Sequence, residues 1–188
     1  MLLTKKSRAG RSVSALLFLV VLATSAFAEG YKQNVVQQRQ VGDQLAEFKT
    51  TAFALRREAD TLNSPGARRW SWQTQSQHLQ NIANQVNRLG KSLAELESMH
   101  PVASDGQRVA IEHARTHLVC IAQNTTRAIE LMRENRASVR FADFGEAVSD
   151  LQAHAETMHS KLDTILDFED ARMRLEDMDL QPRLTEGS

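Results

Sequence analysis

The chain has 188 residues, room for one domain and a removable leader. Its 23 Lys and Arg balance 23 Asp and Glu, but residues 1–28 hold four of the bases and no acid, which leaves 29–188 with 19 bases against 23 acids, a net charge of −4. A mildly acidic body excludes the basic stripe of a nucleic-acid binder and docking on anionic lipid, and three prolines argue against a sandwich of many short strands.

The first 28 residues read as a secretory leader. Lys5, Lys6, Arg8 and Arg11 form a positive start, residues 12–23 (SVSALLFLVVLA) an apolar run, and Ala26-Phe27-Ala28 a small-residue cleavage site before Glu29. The apolar run is shorter than the ~20 residues of a spanning helix, and no later segment approaches that length. The expected compartment is the bacterial periplasm or the extracellular space. That compartment permits disulfides, yet Cys120 is the one cysteine, so the fold holds by its core or pairs Cys120 with a second copy.

Residues 29–170 carry apolar side chains at alternating spacings of three and four, the mark of one stripe along a helix. Four such frames follow in order: Tyr31 to Leu62, Trp72 to Leu96, Ile111 to Asn135, and Phe141 to Ile165. Stripes this narrow predict an all-α fold, an antiparallel up-down-up-down four-helix bundle with a heptad core.

The breaks fall where the frames end. Ser64-Pro65-Gly66 separates the first two helices, with Ser64 as the expected cap. His100-Pro101 ends the second, and Ser104 with Gln107 reads as a capping box for the third. The stretch 135–138 holds neither Gly nor Pro, but a turn there avoids a 60-residue helix with two unpartnered stripes. Beyond Phe168 charge dominates, and 171–188 is expected to be a mobile, charged tail.

Enzymatic motifs are missing from the sequence. It holds no H-E-x-x-H, no Gly-rich phosphate loop, no G-x-S-x-G and no C-x-x-C-H. Glu156 and His159 have the spacing of one half of a di-metal centre, but in the frame they flank outward from the core positions Ala155 and Met158. No cofactor is predicted. One cluster carries metal chemistry: His113 and His117 lie at i and i+4, and folding the third helix onto the fourth about residue 137 sets positions totalling 274 level. That register brings His117, Cys120 and His154 to one seam, an N, N, S set suited to zinc or copper. The bland alternative is three side chains flanking a core, with the cysteine acting as a small hydrophobe.

A second cluster is Arg68-Arg69-Trp70. Trp72 fits the core frame, so Trp70, two residues away, points off the stripe and offers an interaction hot spot or folds over the preceding turn. Gly42, Gly90 and Gly145 each follow a core position, which suggests close backbone approach or kinks.

The function these features predict is a non-enzymatic, exported helical module for binding or structure, with a protein partner and an open oligomeric state, Cys120 offering a route to a homodimer. The alternatives are a metal- or cofactor-binding bundle using His117, Cys120 and His154, and a ligand-sensing accessory of a membrane-spanning partner.

Overall fold

In the computed structural model the backbone is described from residue 13 to 180, and side chains from residue 35 onward except 138, 176, 177, 179 and 180. The leader expected at 1–28 therefore has its side chains, and its first twelve residues entirely, outside the described residues. Residues 181–188 of the expected tail lie outside them too. The chain divides into two compact units, Met1–Gln37 and Gln38–Ser188. The described part of the first is helical backbone.

The described residues hold four α-helices and no strand: α1 (Val13–Asn63), α2 (Trp72–Ser98), α3 (Asp105–Glu134) and α4 (Ala142–Leu180), joined by 3-10 turns at Ala67–Arg69, His100–Val102 and Arg136–Arg140. None of these helices is long and apolar enough to cross a membrane among the described residues. Helix α4 continues ten residues past the expected boundary at 170.

Helices α2 and α3 each start where a side chain satisfies free N–H groups. Ser71 caps α2 by accepting from the Thr74 N–H at 3.2 Å. Ser64, the residue expected in that role, lies before the 3-10 turn, and its carbonyl accepts the Ala67 N–H instead. The capping box at α3 forms in both directions. Gln107 N–H donates to Ser104 Oγ at 3.1 Å, and Ser104 N–H donates to Gln107 Oε1 at 2.9 Å. After α3, Asn135 turns the chain by accepting the Ala137 N–H on its side-chain oxygen, which replaces the missing Gly or Pro.

The expected stripes face one shared core. Val41, Leu45, Phe48, Leu55, Leu79, Ile82, Leu89, Ile121, Leu151, Met158 and Leu162 are all buried, each contributing about 1.5–3 kcal/mol for a large side chain. Polar residues inside the stripes find bonds: buried Gln75 donates to the Ala67 carbonyl at 2.9 Å, and buried Thr125 donates to the Ile121 carbonyl at 2.7 Å. Two frame positions differ. Asn135 and Phe141 are exposed, because the backbone leaves helical geometry at 135 and resumes it at 142. At the far end of α4 the buried face moves from Ile165 to Leu166 and Glu169.

Helix α3 packs on both α2 and α4. Helix α1 meets α4 through Lys49–Asp163 at 2.9 Å, Arg56–Glu156 at 2.6 Å and a Gln152 donation to Asp60 at 2.8 Å. It meets α2 through Glu58, which accepts from Asn81 and contacts His78 Nδ1, both at 2.8 Å.

Candidate functional site

His117 on α3 and His154 on α4 meet across the seam between their helices, Nδ1 to Nδ1 at 3.2 Å. Both flank buried residues, Leu118 and Ala155, and both are half-buried. That placement follows from the heptad pattern, since side chains just before core positions of two facing helices point at each other. The register slips slightly from expectation: His117 with His154 totals 271 and Arg127 with Glu146 totals 273, where 274 was expected. The slip brings His154 to His117 rather than to the level of Cys120.

The two rings meet head-on. Their centres are 5.5 Å apart and inclined at 46°. An imidazole nitrogen lies about 1.1 Å from its ring centre, as bonds of about 1.33 Å require. Two such radii and the 3.2 Å gap account for the whole separation, so the nitrogens lie on the line joining the centres. The ring with its proton on Nδ1 donates to the Nδ1 lone pair of the other. Lone pairs aimed along one line do not converge on a third point, as a tetrahedral ion requires.

His113, one turn earlier on α3, lies nearly parallel to His117, with centres 6.4 Å apart and planes 12° apart. Burial pushes the His117 imidazole below its ordinary value, and His154, His113 and Lys161 push it the same way. Cys120 is a half-buried free thiol whose carbonyl accepts from the Asn124 amide. It does not complete a set with the two histidines: among the described residues no three His, Cys, Asp or Glu side chains gather closely enough to hold a metal ion. The structure thus joins two of the three residues expected at the metal centre as a hydrogen-bonded pair.

Glu156 and His159 point toward α1, where Glu156 pairs with Arg56 and the His159 ring lies 5.3 Å from Phe53. Trp70 is half-buried and stacks on His78 at 4.9 Å and 20°, so it folds onto α2. Arg68 and Arg69 are exposed. Arg68 borders a cleft of ≈ 650 Å³ floored by Leu62, Phe144 and Val148. Trp72 is half-buried, with the Arg136 guanidinium 4.3 Å above its ring.

Two features escaped the sequence reading. Glu169 is buried, and its carboxylate accepts from Ser104 Oγ at 2.6 Å and from Arg172 at 3.0 Å. A lone acid near a helix end carries no sequence signal of burial. Of the three glycines expected at a close approach, Gly42 lies in ordinary contact range of Gln107 Nε2 at 3.5 Å and Gly90 and Gly145 face open space, while the tight approach is at Gly106, against that carboxylate.

The second feature is on α4. Phe168, Leu175 and Met178 are 67%, 60% and 58% exposed. Their spacing of seven and three sets them on one helix face. Comparison of the sequence and fold with protein-family models, curated proteins and solved structures finds no match.

Proposed function

We propose that this chain is an exported, non-enzymatic protein whose up-down-up-down, antiparallel four-helix bundle serves as a binding module for a protein partner. The antiparallel order is supported by the α1–α4 pairs, 49 with 163, 56 with 156 and 60 with 152, which all total 212, so one helix ascends as the other descends. Export is supported by the leader pattern in residues 1–28.

The observation that carries the binding reading is the exposed stripe of Phe168, Leu175 and Met178. Glu169 meets Ser104, the cap of α3, so α4 beyond it extends past the start of α3. A contiguous apolar face rimmed by polar residues marks an interaction site. The segment is acidic in sequence, since residues 163–180 hold seven acids against two bases. The partner that fits is a helix with apolar side chains along one face and Lys or Arg beside them.

A photo-crosslinking side chain at Leu175, introduced in the producing cells, tests the reading. One defined heterologous adduct is expected, lost when Phe168→Asp is added while the circular dichroism spectrum stays helical. Adducts only to a second copy of the chain, or none, overturn it.

A further inference from the structure

The His117–His154 contact joins two imidazoles across the packed seam of α3 and α4, the side-chain type used as a proton switch. The bond between them exists only in certain protonation states. When both rings are neutral, one Nδ1–H donates to the other Nδ1, and the donor's Nε2 keeps a free lone pair. A first added proton goes to that Nε2, and the bond becomes charge-assisted. A second added proton has only the accepting Nδ1 left to bind. Both facing nitrogens then carry N–H groups, the hydrogen bond is gone, and two imidazolium ions face each other from the 3.2 Å separation of that bond.

The surroundings amplify that last step. The groups acting electrostatically on His117 are His154 and Lys161 from α4 and His113 from its own helix, and none of them is an acid. Burial adds to the cost of charge, because half-buried rings lose part of their hydration. By contrast, His78, the other histidine with a side-chain hydrogen bond among the described residues, faces the Glu58 carboxylate at 2.8 Å.

We propose that the His117–His154 pair is an acid-sensitive latch: neutral or singly protonated it fastens α3 to α4, and doubly protonated it drives the two helices apart. The latch is set by the compartment's pH and does not depend on the partner face of α4.

The full chain tests it through thermal unfolding from about pH 7 to about pH 5, above the range where carboxylates titrate. His117→Gln and His154→Gln each keep a hydrogen-bonding side chain opposite the remaining imidazole but remove one proton acceptor. His100→Gln, at an exposed imidazole in the α2–α3 turn, is the control. The native protein and the control are expected to lose about 2–4 °C more on acidification than either latch variant. Proton NMR of the native protein is expected to show the pair titrating in two separated steps, with a single step left in either variant. Equal acid loss in all four proteins, or independent ordinary titration of His117 and His154 in the native chain, overturns the proposal.

Discussion

Gly106 stands in the first turn of α3, directly beside the Glu169 carboxylate. A methyl group there would clash with Oε1 of Glu169 and lie 2.5 Å from its Cδ and 2.9 Å from its Cγ. The carboxylate could yield only by leaving the Ser104 hydroxyl, its 2.6 Å donor. It would also leave the positive end of α3, which favours a buried negative charge. Gly106→Ala is therefore expected to cost about 1–3 kcal/mol, the range for overpacking and for an unsatisfied buried acceptor. Gly90 lies mid-α2 with nothing within 4 Å of its would-be side chain. Gly90→Ala is expected to stabilise by up to about 1 kcal/mol through helix propensity alone. Urea unfolding of both variants checks the pair, and equal signs would contradict the geometry.

At the scale of the element, Lys49 of α1 holds Asp163 of α4. The bond from the Lys49 ammonium keeps the Asp163 carboxyl below its ordinary value of 3.8, and the lysine's charge acts in the same direction. A carboxyl lowered in the folded state stabilises fully above its unfolded value. That stabilisation is lost as pH falls through the lower folded value. Because Asp163 is 51% exposed, solvent screening holds the pair to the surface range of about 0.2–1 kcal/mol. Asp163→Asn is expected to lower the thermal midpoint slightly at neutral pH, by a deficit that shrinks as pH falls through the lowered folded value of Asp163. A deficit that persists in acid would assign the effect to packing.

Helix ends were legible wherever a side chain does the capping locally. Ser104 and Gln107 satisfy each other's neighbours within one turn, so sequence spacing alone specifies them. The start of α2 was not, because both Ser64 and Ser71 can cap. The 3-10 turn at 67–69, closed by Gln75 reaching back to the Ala67 carbonyl, selects the second.

For the whole molecule, stability rests on one core shared by four helices, without a cross-link within it. Ile121 is fully buried at the centre of α3. Ile121→Ala is expected to cost about 2–5 kcal/mol by lost transfer energy and residual cavity, read from chemical unfolding. A cost under about 1 kcal/mol would mean that the helices do not share a close-packed interior.

The sequence by itself determined the helical character of the chain, the positions of its four stripes and the capping box of Ser104 with Gln107. These depend on a period of 3.6 residues and on local hydrogen bonds, both of which a linear pattern encodes. Only the tertiary structure decided that His117 meets His154 without Cys120 completing a set, that Trp70 lies on His78, and that Glu169 is buried beside Gly106. Those outcomes turn on the sliding of one helix along another by a fraction of a turn. The heptad pattern barely constrains that displacement, because apolar side chains gain nearly the same free energy in neighbouring registers, whereas hydrogen bonds form in one.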